Sequence, residues 1–169
     1  MFFLGELIAI ITFPGVIVHE WSHKKMCDLR NVPVREVCYF RIGNPAGYVV
    51  HDEPFYFGDT FLVSMAPFLF SVLLAIGAFS ALKLLNSPDN YLTLILFWFG
   101  ISIGMHAIPS TDDTKIVWYR GIEEVKNRNY LAILSLPIAG IVYILSALQV
   151  IWMDLFFALG LYFFVDWVL

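Results

Sequence analysis

The amino-acid sequence predicts an all-α polytopic membrane protein, with four to five transmembrane or membrane-embedded helices and a small β-hairpin at the cytoplasmic face. Three observations predict it. Of 169 residues, 60% are hydrophobic and only 14% charged, where soluble domains carry about 25% charged residues. The apolar residues gather in runs long enough to cross a bilayer, which takes roughly 17–25 residues per helix. The ten Lys and Arg fall almost entirely in two of the connecting loops. A net charge of −4 speaks against a nucleic-acid partner, and the low polarity excludes a disordered chain or an ordinary cytosolic enzyme. One membrane-embedded domain over 1–169 is expected, with a core over about 1–118 and C-terminal membrane segments over 131–169. Cys27 and Cys38 cannot build a disulfide framework and read as free thiols on a reducing side.

The first apolar stretch, Phe2 to Val18, has no Lys or Arg before it and no small-residue cleavage site, so it reads as a retained transmembrane helix rather than a signal peptide. Pro14-Gly15 would kink it or pack it against a neighbour. Thr60 to Leu85 and Tyr91 to Ile108 are long enough to be the second and third spans. Asp59 is expected to cap the second, which should stop at Asn86-Ser87-Pro88. From Leu131 to Leu169 there is no Lys or Arg; one span ending near Met153 is expected, then a shorter apolar segment whose course is open because no Gly or Pro turn separates the two. Lys24, Lys25, Arg30, Arg35 and Arg41 lie in the first loop, and Lys115, Arg120, Lys126 and Arg128 in the third; Lys83 alone borders the second. The bias of such residues toward the cytoplasm puts both rich loops inside and the amino terminus outside. In the first loop, Val34 to Ile42 and Tyr48 to His51 are β-prone and flank a turn cluster, Gly43 to Gly47, which predicts a hairpin at the membrane surface. Trp98, Trp118, Trp152 and Trp167 fit interface anchoring.

His19-Glu20-Trp21-Ser22-His23 closes the first helix. Histidines four apart share one helical face, so both imidazoles can converge on one metal with Glu20 beside it. Such HExxH spacing has roughly 0.003 chance occurrences in a chain of this composition. Zinc held by three protein ligands keeps a fourth position for water and polarises a carbonyl, while the carboxylate acts as general base. The plainer alternative is a set of interfacial polar residues closing a helix, but ionisable groups at the bilayer tend to mark functional sites.

Two histidines need a third ligand. The third span ends in Met105-His106-Ala107-Ile108-Pro109-Ser110-Thr111-Asp112-Asp113, on the same side of the membrane as the motif. Asp112 or Asp113 would supply an oxygen ligand; the plainer alternative is that the pair N-caps a helix over Thr114 to Val125, and capping by one is compatible with ligation by the other. His106 is a further ligand, a hydrogen-bond donor to substrate or transition state, or a plain helix-end histidine.

These residues resemble the site-2 protease family of intramembrane zinc metalloproteases. The likeness covers roughly Val16 to Trp118. It rests on HExxH in a transmembrane helix, a strand containing Pro45-Ala46-Gly47-Tyr48-Val49, and an Asp beyond a later helix. The resemblance implies His19 and His23 as zinc ligands, Glu20 as catalytic base, and Gly47, Tyr48 and Val49 as part of an edge strand near the substrate. Adding a strand would give a locally unwound substrate replacement hydrogen bonds. The third-ligand segment departs from the family, which has an Asn-Pro-Asp-Gly type of sequence there; His106 and Pro109-Ser110 to Asp113 are instead similar to small zincin-like membrane proteins with a His-x-x-Pro-Ser-x-x-Asp pattern, which favours Asp113. Ala66-Pro67 follows a family motif, with Phe70 where Asn is usual. The length leaves no room for a PDZ or CBS regulatory domain.

The expected function is therefore zinc-dependent hydrolysis of peptide bonds in membrane protein or peptide substrates, by a multi-pass protein of the cell membrane working near the cytoplasmic face of the lipid bilayer. The alternative is a non-catalytic protein that binds or conducts metal through the same His/Asp cluster.

Overall fold

The computed structural model describes residues 2–85 and 91–169. Among them are seven α-helices and one two-stranded sheet: α1 (Phe2–Ile11), α2 (Phe13–Leu29), β1 (Val34–Cys38), β2 (Tyr48–His51), α3 (Phe57–Leu85), α4 (Tyr91–Met105), α5 (Thr111–Lys126), α6 (Ser135–Ala147) and α7 (Met153–Val168). Short 3₁₀ turns, Tyr130–Leu134 and Leu148–Ile151, flank α6. The stop expected at Asn86-Ser87-Pro88 lies outside the described residues.

The first apolar stretch is not one helix. It breaks at Thr12, and α2 then runs on through the HExxH motif to Leu29. Pro14 explains the break: without an N–H it is tolerated in the first turn of a helix but not further in. The carbonyls released there find partners on α4. Trp98 Nε1 donates to Ile11 O at 2.9 Å, and Ser102 Oγ donates to Thr12 O at 2.8 Å. Gly15 N donates to Ser102 Oγ at 2.9 Å. These bonds satisfy the backbone groups that the break leaves without a helical partner. Gly15 also marks the closest approach of α2 and α4, since a Cβ there would collide with the Ser102 carbonyl and the His106 ring. Gly15→Ala is expected to destabilise by about 3 kcal/mol, lowering Tm in detergent by roughly 5–10 °C. An unchanged melting curve would mean that the two helices do not meet at this point.

Helices α2, α3 and α4 pack on one another, α7 lies against α3 and α4, and α5 bridges α3 and α6. A ring cluster of Phe79, Phe97 and Tyr162 ties α3, α4 and α7 together. Lys83 near the end of α3 pairs with Asp166 near the end of α7, so α7 runs the length of these helices. Helix α6 takes another course. At its end Ser146 Oγ donates to Pro109 O at 2.7 Å, and beyond it Gln149 Nε2 reaches Ile108 O at 3.4 Å. The chain thus returns from α6 to the C-terminal end of α4 before α7 departs. The turn between them is made by Trp152 in the left-handed region at φ 66°, a conformation usually left to Gly or Asn. By length and composition, Phe57–Leu85 and Ala132–Ile151 are the two described helical stretches able to cross a membrane, and Tyr91–Met105 is a shorter apolar helix.

Strands β1 and β2 are antiparallel, pairing Val34 with His51, Val37 with Val49 and Cys38 with Tyr48, with an irregularity between Val34 and Glu36. The first strand stops at Cys38, short of the expected Ile42. Beyond it the chain closes into a loop, with Arg41 N donating to Ala46 O at 2.7 Å and Arg41 Nε to Pro45 O at 2.9 Å. Asp59 is not a cap: α3 begins at Phe57, and Asp59 sits buried in its first turn, accepting from Arg30 Nε at 2.6 Å.

Candidate metal centre

Two backbone carbonyls orient the motif histidines. His19 Nδ1 lies 2.7 Å from His106 O and His23 Nδ1 lies 2.9 Å from Val63 O. A carbonyl only accepts, so each Nδ1 carries the proton and each Nε2 is free to act as a ligand. The carbonyls come from α3 and from the turn after α4, the two elements packed on the motif helix.

Asp113 completes the group. It is the third residue of α5, where Ser110 is the N-cap, and the two form a reciprocal capping box. Ser110 Oγ donates to Asp113 Oδ2 at 2.6 Å, and Ser110 N to the same oxygen at 3.1 Å. The box turns the carboxylate back toward the start of the helix, where Oδ2 stands 3.5 Å from His23 Nε2. Burial alone would raise the Asp113 carboxyl. The nearby His23 and His19, with hydrogen bonds from His23 and Ser110, outweigh burial and hold it well below the usual carboxylate range. One ligand atom from each of His19, His23 and Asp113 lies within 4.8 Å of the others. In a tetrahedral zinc site, bonds of about 2.0–2.1 Å put ligand atoms about 3.4 Å apart, so the three would have to draw closer together around an ion. Without a metal, a proton between His23 Nε2 and Asp113 Oδ2 takes the place that a shared cation would fill. The donor set therefore fits zinc.

Asp112 is not part of this group. Its side chain is 85% exposed and pairs with Lys115 Nζ at 3.1 Å, because one residue along a helix turns the side chain by about 100°. His106 also stays out of the ligand set. Thr12 Oγ1 donates to Ile8 O at 2.7 Å, so at 2.9 Å from His106 Nε2 it accepts from that ring. His106 thereby links the break between α1 and α2 to the carbonyl that holds His19. What it does for the cluster runs through its backbone.

Glu20 and His19 border a cavity of about 300 Å³. The hairpin loop closes one side of it through Asn44, Pro45, Ala46 and Gly47; His106, Ser110, Gln149 and Asp154 also line it. Gly47 is required by proximity, since a Cβ there would press on Glu20 Cγ. Of the three expected substrate-strand residues, only Gly47 reaches this wall. Tyr48 bonds to Glu36 through its hydroxyl and lies under Arg41, and Val49 pairs with Val37. Strand β2 has β1 as its one strand partner among the described residues. Among the described residues His51 bonds to none of the ligand group; its Nδ1 bonds to Asp52 O at 2.7 Å. It borders a second cavity, of about 510 Å³, that Asp113 also lines.

No protein-family model, curated protein or solved structure matches the chain.

Gln149 and Asp154 were not among the expected site residues. Asp154 had a signal in the sequence: it is a charged residue inside a long apolar run, the kind of position that marks function in a membrane.

Proposed function

We propose that the chain is a membrane-boundary zinc metallopeptidase of the site-2 protease kind, hydrolysing peptide bonds in membrane protein or peptide substrates. The observation that carries this is the convergence of His19, His23 and Asp113, each already oriented by a bond to another part of the chain, with Glu20 next to them on the wall of a cavity. Zinc bound by the three residues would polarise the scissile carbonyl and lower the pKa of a water. The Glu20 carboxylate takes the proton from the attacking water and hands it to the leaving amide nitrogen. The loop Asn44 to Gly47 covers Glu20 and restricts water, and the free edge of the hairpin offers an extended substrate backbone hydrogen bonds.

The finer topology belongs to the same proposal. The broken α1 and α2 pair, α3, α4 and α7 cross the bilayer, with both termini outside, while α5 and α6 form an antiparallel pair at the inner boundary. Ile138, Ile141 and Ile144, exposed on α6, then face lipid at the interface. In a chain carrying Cys27→Ser and Cys38→Ser, a cysteine placed at Asn127 should react with an impermeant maleimide from the cytoplasmic side, and one at Leu169 from the opposite side. Labelling of both from one side would defeat this arrangement.

The catalytic proposal is tested by purifying the full chain in detergent, measuring its zinc content, and following cleavage of a single-span reporter by wild type and Glu20→Gln. One zinc per chain with cleavage lost in the variant supports it. Zinc binding without cleavage by wild type across varied reporters would point instead to a non-catalytic metal-binding protein.

A further inference from the structure

We infer that the cavity beside Glu20 selects substrates with a Lys or Arg side chain close to the scissile bond, and that Asp154 is the residue that recognises it. This rests on the protease reading above and adds the substrate's chemistry.

Asp154 lies in the first turn of α7, beyond the part of the chain that carries the HExxH and Asp113 chemistry, yet it lines the same cavity as Glu20 and His19. The fold makes this possible through α6, which brings the chain back to Pro109 and Ile108 before α7 begins. Asp154 Oδ1 accepts from the N–H of Leu155 at 2.9 Å. Its side chain has no cationic partner among the described residues, and no Lys or Arg lines the cavity. The cation nearest in the loop, Arg41, is engaged with Pro45 O and the Tyr48 ring. Charge counting then gives the selectivity. Asp154 is a carboxylate on the cavity wall with no Lys or Arg beside it. The N-terminus of α7 contributes at most about half a positive charge, which does not neutralise a full carboxylate. The lining supplies no cation of its own, and a carboxylate in a confined cavity recognises an ammonium or guanidinium by charge-assisted hydrogen bonds.

The test uses the full zinc-loaded chain in detergent and acetylated, unstructured polypeptides that differ in one residue beside the cleaved bond, Lys, Arg, Leu or Glu, with cleaved bonds identified by mass spectrometry. Wild type is expected to prefer Lys and Arg, and Asp154→Asn to lower kcat/KM for these about tenfold or more while sparing the Leu peptide. Asp154→Lys should move the preference toward Glu. Zinc content equal to wild type separates the effect from misfolding. Binding is read in parallel by fluorescence anisotropy in the uncleaving Glu20→Gln background, where adding Asp154→Asn should weaken the Lys peptide several-fold and leave the Leu peptide unchanged. Equal loss for all peptides, or no preference in wild type, overturns the role of Asp154. If wild type cleaves nothing, the protease reading fails on its own, and the binding assay still decides whether Asp154 selects a cation.

Discussion

Glu20→Gln is expected to lower peptide cleavage by about 10³–10⁴-fold, near the upper end of what a positioned acid and base contribute, while zinc content stays at one per chain. The amide has the carboxylate's shape and keeps an acceptor oxygen, but cannot take a proton from water or deliver one to the leaving nitrogen. Glu20 is not a member of the ligand group, which is His19, His23 and Asp113, so the metal should be unaffected. Its neighbour constrains the outcome further. Gly47 packs against Glu20 Cγ, and Gly47→Val should displace that side chain or the loop, reducing cleavage by a smaller factor with zinc again retained. The two variants together distinguish a proton-transfer group from a polar wall residue. A fall in zinc content with Glu20→Gln would show that Glu20 coordinates, and a fall below tenfold in cleavage would remove it as the base.

Local spacing made part of this centre legible in the sequence. His19 and His23 share a helical face because of the four-residue interval, and the hairpin announced itself by two β-prone runs around a turn cluster. The residues alone leave Asp112 and Asp113 open, and only the family resemblance favours Asp113; the capping box with Ser110 shows why, since a residue three after the N-cap folds back over the start of the helix, but that this start points at His23 depends on packing. What could not be read depends on tertiary partners. The break at Thr12 is stable because Trp98 and Ser102, some ninety residues away, donate to the carbonyls of the broken turn. The course of the last apolar run turns on Trp152 adopting a left-handed conformation without Gly, and composition contains no hint of that. Asp154 enters the cavity only because α6 returns to Pro109, so its place beside Glu20 follows from packing rather than from any interval along the chain.

Asp113→Asn should lower zinc affinity by more than 100-fold, beyond the 10–100-fold that follows from disturbing an outer partner of a ligand. Asp112→Asn should leave affinity within about twofold of wild type, since the Asp112 side chain is exposed beside Lys115 and a surface pair of this kind contributes little. Asp113 has two roles, so ligand loss must be separated from loss of the cap. Asn at 113 retains an oxygen that accepts from Ser110, whereas Ser110→Ala removes the cap and keeps the carboxylate. Removing such a cap costs about 1 kcal/mol of stability, and the freed carboxylate remains an anionic ligand. Ser110→Ala is therefore expected to lower Tm with a zinc loss no greater than that of an outer partner, and Asp113→Asn to do the reverse. Because neighbouring histidines and Ser110 hold the Asp113 carboxyl well below the usual range, it stays ionised when mild acid releases the metal, and protons then compete at the imidazoles. Competition titration with a zinc-binding dye measures all three variants. If Asp112→Asn loses zinc and Asp113→Asn does not, the capping box, and with it the proposed orientation of the third ligand, is wrong.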